Sequence, residues 1–317
     1  MAEYVGGTRG GIVLKLLTYQ YRFFGPRAGL KQEDRVVDLT ALLGADRVIT
    51  DVGTLLRRYD DPLTTIWAAL ADRQELPWLP LSEVTLCPPI PEPPCVRDSS
   101  LFEAHSNGVS KSNAHSTPKI WYERPIYFYE TTHGITGPEA EITRKSGSVT
   151  LDYEAELAVV IGKGGKNVSA EDALDHIFGV MIYNDWTDRA IGGAEVGFLG
   201  MHKSKDFAAG MGPWIVTMDE LADRWNGGKL DLKVDAWVNG VHTTDSRTGS
   251  MYWSVPQLLE VVTQDSAVEP GDIIGLGTVG TGCLAESGGK FPFLQDGDTV
   301  EIQVEGIGTL RQHVKRA

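Results

Sequence analysis

Two apolar runs dominate the hydropathy pattern, and neither alternates. Residues 157–161 read Leu157, Ala158, Val159, Val160, Ile161, and residues 177–183 read Ile177, Phe178, Gly179, Val180, Met181, Ile182, Tyr183. Both are rich in β-branched and aromatic residues and too apolar for a surface strand, so they predict strands buried on both faces. Further on, Leu230, Leu232, Val234, Ala236 and Val238 alternate with polar partners and run into Asn239-Gly240, the two-residue signature of a hairpin turn, before Val241-His242-Thr243. Val300, Ile302 and Val304 alternate with Glu301, Gln303 and Glu305 and predict another half-buried strand. Helical signals are few: a start after Ser169, with Asp172 three residues on, and a capping box at Ser254 and Gln257 ahead of Leu258, Leu259, Val261 and Val262.

The N-terminal part is more mixed, with a strand expected over residues 11–17 and helices over 54–58 and 63–73. Pro88, Pro89, Pro91, Pro93 and Pro94 then stiffen the chain into an extended spacer, which places a small N-terminal α+β domain and linker over residues 1–94 and a larger body over 95–317. Residues 106–116, dominated by Ser, Asn and Gly, offer little to bury and read as a mobile loop that could act as a lid. Without a regular strand-helix alternation, the fold class expected is α+β and β-rich, not a doubly wound sheet.

Gly275-Leu276-Gly277-Thr278-Val279-Gly280 matches a dinucleotide-binding glycine pattern. The residues after it, 281–289, have neither helical periodicity nor helix-forming composition, so no helix N-terminus is expected there to receive a pyrophosphate. Turns that need positive φ are the better explanation of these glycines.

Composition narrows the function. A formal charge of −14 on 317 residues would repel nucleic acid but leaves room for a small anion bound by local Lys and Arg. Three cysteines, Cys87, Cys95 and Cys283, have no metal-ligand spacing, which disfavours zinc and disulfide frameworks. No apolar stretch reaches the ~18 residues of a membrane helix and no signal-peptide layout opens the chain, so the expectation is a cytoplasmic protein without a membrane partner.

The candidate chemistry sits at the two apolar runs. Glu154 and Glu156 are two apart just before the first, and in an extended chain they project to one face. Two like charges held side by side call either for water or for a cation between them. Asp185 closes the second run and could add a third oxygen. An all-carboxylate set selects hard cations, Mg²⁺ or Mn²⁺, with Ca²⁺ possible, over zinc.

Asp152-Tyr153-Glu154-Ala155-Glu156-Leu157, then His176-Ile177-Phe178-Gly179, Asn184-Asp185-Trp186-Thr187, Lys205-Asp206-Phe207 and Gly212-Pro213-Trp214 occur in an order and spacing that resembles the fumarylacetoacetate hydrolase family. The resemblance extends from about Arg97 to the C-terminus. It implies a β-rich roll around a metal site with a smaller N-terminal domain, usually in a homodimer. It implies Glu154, Glu156 and Asp185 as metal ligands, with Asp98, seven residues before His105, as a weaker fourth. By the same resemblance His105 is a general base oriented by Glu286, Lys205 and Arg189 face an oxyanion or a substrate carboxylate, and Thr278 contacts substrate. Tyr129, in the aromatic run before the first metal strand, is a candidate pocket-lining residue. Where the family commonly reads S-A-R-D-L-Q, this chain has Thr187-Asp188-Arg189-Ala190-Ile191-Gly192. Loss of the glutamine side chain at Gly192 is expected to enlarge the substrate pocket or delete a polar contact with substrate.

These assignments lead to an expected metal-dependent hydrolase that cleaves a C–C bond in a 1,3-diketone or acylpyruvate-like compound from aromatic or cyclic catabolism. The rival, on the same metal site, is an isomerase, decarboxylase or tautomerase of a 2-keto or 2-hydroxy-dienoate acid. It needs only enolisation and no attacking water. The expected partner in both is a small keto acid or diketone.

Overall fold

A computed structural model describes residues 13–72, 75–112, 116–144, 149–198 and 200–316. Its centre is a twelve-stranded sheet in which the two apolar runs lie side by side. Strands Ala155–Ile161 and Ile177–Asp185 are antiparallel neighbours, with Glu156 opposite Tyr183 and Ala155 opposite Asn184. Every residue of both is buried, as expected of strands covered on both faces. Ala209–Thr217 flanks one side and Ile273–Gly275 the other, and Val96–Ser99 then Tyr127–Glu130 complete that edge.

On its other side Ala209–Thr217 pairs with Lys15–Gln20, which continues through Arg27–Gln32 and Arg35–Asp38. Strands from before and after the proline run therefore belong to one sheet, and Leu16, Leu30 and Ile49 share a core with Val160, Met181 and Ile273. The prolines change the chain's direction between Thr85–Cys87 and Val96–Ser99 without interrupting the sheet.

The alternating segments form a second sheet of five strands, in the order Val241–Arg247, Lys233–Val238, Thr299–Val304, Gly308–Arg316, Glu141–Arg144. Asn239 and Gly240 turn its hairpin with φ of 50° and 77°, as that turn type requires. The capping box forms as read: Ser254 Oγ accepts from Gln257 N at the start of helix Val255–Thr263, and Gln257 Oε1 accepts from Ser254 N. The α+β, strand-rich architecture is that of the sequence reading.

Two local expectations fail. The segment after Ser169 makes only the 3-10 turn Ala173–His176, because nothing beyond it continues the helical pattern before the buried strand begins. The supposed mobile loop at 106–116 is helical for most of its length, as Glu103–Ser112; Asn113, Ala114 and His115 lie outside the described residues. Its own composition does not favour a helix. Packing supplies what propensity lacks: Gly108 lies so close to the turn at Leu284–Ser287 that a Cβ there would be 2.7 Å from Glu286 Oε1. A helix seated this way carries His105 as a fixed group and not as part of a lid.

Candidate active site

The site gathers where the central strands end. Glu156, on the strand Ala155–Ile161, is fully buried. Opposite it, the glycine-rich segment leaves the strand Ile273–Gly275 without forming a helix: Gly277 takes φ +88°, its N–H donates to Glu156 Oε2 at 3.1 Å, and Thr278 Oγ1 donates to Glu156 Oε1 at 3.0 Å. The nucleotide-like glycine pattern thus serves a carboxylate of the protein itself. Thr278, read as a substrate contact, is committed to Glu156.

Asp98 comes from the parallel neighbour strand Val96–Ser99. Its carboxylate passes so close over Gly275 that a Cβ there would stand 2.2 Å from Asp98 Oδ1. Asp98, Glu156 and Asp185, all buried, can each offer an oxygen within 4.8 Å of the others. Among these, Asp98 Oδ1 and Asp185 Oδ1 are buried without a hydrogen-bond partner among the described residues. Burial, reinforced by the neighbouring acids, pushes Glu156 and Asp185 well above the ordinary carboxylate range, and burial raises Asp98 to about 6. Three hard oxygen donors with unused lone pairs and a raised proton affinity fit a divalent cation, whose charge would favour the ionised forms.

Glu154 lies just outside the regular strand, its N–H donating to Asn184 Oδ1 at 3.2 Å and its carbonyl accepting from Asp185 N at 3.2 Å. Its carboxylate is held by cations: Arg189 Nη1 at 2.8 Å and Lys205 Nζ at 2.7 Å. Burial acts to raise this carboxyl, but Arg189, Lys205 and His105 together hold it well below its ordinary value. Lys205 is itself buried and also donates to Asp185 Oδ2 and, at 2.9 Å, to Thr187 Oγ1. The expected trio of Glu154, Glu156 and Asp185 is therefore in one place, with Asp98, the weaker fourth candidate, grouped with Glu156 and Asp185, and with Lys205 bridging Glu154 to Asp185.

His105 faces this cluster from its helix. Nδ1 is 3.0 Å from Glu286 Oε2, and Nε2 is 3.6 Å from Glu154 Oε1, beyond hydrogen-bonding distance. A carboxylate on Nδ1 fixes a tautomer whose Nε2 carries the lone pair. Glu286 is positioned in turn by Thr281 N at 3.3 Å and Cys283 Sγ at 3.4 Å.

Arg189 does not face open space. Nε donates to Asp152 Oδ2 at 2.8 Å and Nη1 pairs with Glu154. Those two nitrogens are therefore taken up by Asp152 and Glu154 and not free for the expected contact with an oxyanion; Nη2 is buried without a partner among the described residues. Gly192 lines a cavity of about 250 Å³ with Arg189, Val109, Met201 and Phe293. A Cβ at Gly192 would be 2.7 Å from Met201 Cε, so Met201 occupies much of the room that the missing side chain vacates. Tyr129 lines a second cavity, of about 160 Å³, beside Lys205, with the Arg97 guanidinium 5.3 Å from its ring centroid.

Two acids escaped the sequence reading. Asp152 accepts from Leu284 N at 2.9 Å, Ala285 N at 3.0 Å and Arg189 Nε, so it ties the Glu286 turn to the arginine. Its place immediately before Tyr153-Glu154 was the available signal. Glu130, at the end of the strand Tyr127–Glu130, had none: it follows an aromatic run and looks like a surface acid.

Residues 97–315 match the family described as fumarylacetoacetate (FAA) hydrolase C-terminal. The chain belongs to the fumarylacetoacetate hydrolase family. Among curated relatives it is 35% identical over 242 residues to the oxaloacetate tautomerase YisK of Bacillus subtilis (strain 168), covering 74% of each chain. Among solved structures of this fold it resembles a putative HpcE protein from Mycobacterium smegmatis, with 27% identity, a TM-score of 0.78 and coverage of 96% of this chain and 100% of the other. A maleylpyruvate hydrolase from Sphingobium sp. SYK-6, in complex with manganese(II) and pyruvate, is 25% identical with a TM-score of 0.73, covering 96% of this chain and 100% of that one. Fumarylacetoacetate hydrolase relatives thus include hydrolases, isomerases and a tautomerase, and the chain is an enzyme of this family with a metal-type acidic site.

Proposed function

We propose that the protein is a divalent-metal-dependent hydrolase that cleaves a C–C bond in an acylpyruvate-like or 1,3-diketone substrate. The observation that carries this reading is the His105–Glu286 pair set against the buried carboxylate cluster. Asp98, Glu156 and Asp185, with Glu154 beside them, would hold Mg²⁺ or Mn²⁺ (Ca²⁺ is the other hard candidate). When bound, such an ion supplies Lewis-acid polarisation of a 2-keto acid. His105 Nε2 takes a proton from water as the water oxygen bonds to the distal carbonyl carbon. The bond from that carbon to the neighbouring methylene breaks, its electron pair passes to the leaving keto-acid fragment, and His105 returns the proton there. The products are a carboxylic acid and, from an acylpyruvate, a 2-keto acid or, from a plain 1,3-diketone, a ketone. Glu286 keeps Nδ1 protonated throughout, and Arg189 and Lys205 hold Glu154 ionised and in place. We propose further that the enzyme works as a cytoplasmic homodimer.

The 35% identity to an oxaloacetate tautomerase favours a second reading, in which a proton merely moves between carbon and oxygen of a 2-keto acid. That reaction needs no activated water. The variant His105→Ala separates the two on an acylpyruvate panel assayed with Mn²⁺: loss of product acid by about 10²-fold or more supports hydrolysis, and full retained cleavage defeats it. Keto-enol exchange followed by ultraviolet absorbance, with no cleavage in the wild type, would favour the second reading.

A further inference from the structure

The cavity of about 160 Å³ beside Lys205 contains a carboxyl group that the reaction above does not use. Glu130 lines it together with Phe128, Tyr129, Met201 and His202, and both Glu130 carboxylate oxygens are buried without a hydrogen-bond partner among the described residues. An ammonium has three donors, and those of Lys205 are already directed to Glu154, Asp185 and Thr187. The other acid on the cavity wall, Asp206, is exposed and paired with Lys203 at 2.8 Å. The cavity therefore adjoins the carboxylate cluster, yet its buried wall offers no uncommitted cation to a substrate and one uncommitted acid.

We propose that Glu130 is a specificity-determining residue that hydrogen-bonds the far end of the substrate and selects an uncharged donor group there, a hydroxyl or amide, over a carboxylate. This rests on the reading of the site as one for 2-keto acids. Buried polar groups are costly when unpaired, so a substrate tail with an N–H or O–H gains what Glu130 lacks, whereas a second carboxylate would have to share a single proton with it. The two Glu130 oxygens, both buried in the cavity wall, can accept from an amide or hydroxyl tail, whereas a carboxylate tail brings them no donor of its own.

The test is calorimetric titration of the Mn²⁺-loaded protein with 2-oxoglutarate and with its ω-amide, 2-oxoglutaramate, which differ only at the tail. The amide is expected to bind on the order of tenfold more tightly, and Glu130→Gln, which can itself donate to a carboxylate, is expected to bring the two within about threefold. Glu130→Lys should invert the order. Because the Glu130 charge also bears on Asp185, Mn²⁺ affinity is titrated separately and the metal kept saturating in both proteins; the tail effect is read from the ratio of the two probes, which a change in metal affinity alone leaves unmoved. Equal binding of the two probes by the wild type, or a ratio that Glu130→Gln leaves unmoved, overturns the role of Glu130 while sparing the 2-keto acid reading. Binding of neither probe overturns that reading and the proposal with it. The wild-type ratio decides the matter even if a variant fails to fold.

Discussion

At the scale of single residues, the site is a set of acids in unequal electrostatic circumstances. Glu154 is surrounded by cations and held ionised, while Glu156 is pushed the other way by burial, Asp98 and Asp185, and Asp185 by burial and Glu130. Asp98 belongs with the second kind. Replacing it with Asn removes an oxygen anion from the tight cluster, so calorimetric titration should show Mn²⁺ affinity falling at least about tenfold. Unchanged affinity would remove Asp98 from the ligand set. Glu130 gives a pH-dependent prediction. Its carboxyl is raised from an ordinary 4.5 to about 8 on folding, so it penalises the folded state increasingly as pH rises above 4.5, and the penalty is complete above about 8. Glu130→Gln has no such group, so in metal-free protein its melting temperature should exceed that of wild type at pH 8.5, by an amount that shrinks to nothing near pH 4.5. The difference at high pH should correspond to a few kcal/mol at most, on the order of the shift's free energy.

The residue scale also separates what the sequence made legible about the convergence of these side chains from what it did not. Glu154, Glu156, Asp185, Lys205 and the His105–Glu286 pair were legible because their neighbours along the chain are distinctive and the buried strands fix where each points. Asp98 could be read only as a spacing from His105; its closeness to Glu156 depends on a parallel strand pairing with Ile273–Gly275 that lies far away in sequence. The contacts of Arg189 and Gly192 were not legible for the same reason, since Asp152 and Met201 become their neighbours only in the folded chain.

At the scale of elements, two close approaches of backbone and side chain set the geometry. Gly275 allows the Asp98 carboxylate to cross the sheet above it. A Cβ at 2.2 Å from Oδ1 is not tolerable without moving the carboxylate, so Gly275→Ala should destabilise the protein by about 1–3 kcal/mol and weaken Mn²⁺ binding together. Chemical denaturation and metal titration check the two effects; loss of stability with intact metal affinity would show that Asp98 is not held by this contact. The helix Glu103–Ser112 makes a similar point about legibility. Its Ser, Asn and Gly content predicts a loop, and it is helical because Gly108 lets it press on the turn carrying Glu286. Local propensity describes a chain in isolation, and this segment is never isolated in the fold. The strands, in contrast, were readable because burial on two faces leaves an unbroken apolar run, and the hairpin because Asn239-Gly240 meets a backbone requirement by itself.

For the whole molecule, the carboxylate cluster couples metal binding to stability. A ligand that binds the folded form alone stabilises it in proportion to the logarithm of its excess over Kd. Removal of divalent ions with EDTA should lower the melting temperature, and Mg²⁺ or Mn²⁺ should restore it; no change in either direction would remove the cation from the account. None of the helices among the described residues is long and apolar enough to cross a membrane. The homodimer is a separate expectation: light scattering should return about twice the 34.6 kDa of one chain, and a mass near the single-chain value would refute it.

Asp152 joins parts of the chain that are otherwise remote. One carboxylate receives two backbone amides from the turn that carries the histidine's partner and a guanidinium from the helix that walls the cavity beside Gly192. Mechanically it is a shared anchor bolt. Changes along the helix Arg189–Glu195 should therefore leave the turn at Leu284–Ser287 in place for as long as Arg189 keeps its grip on this acid.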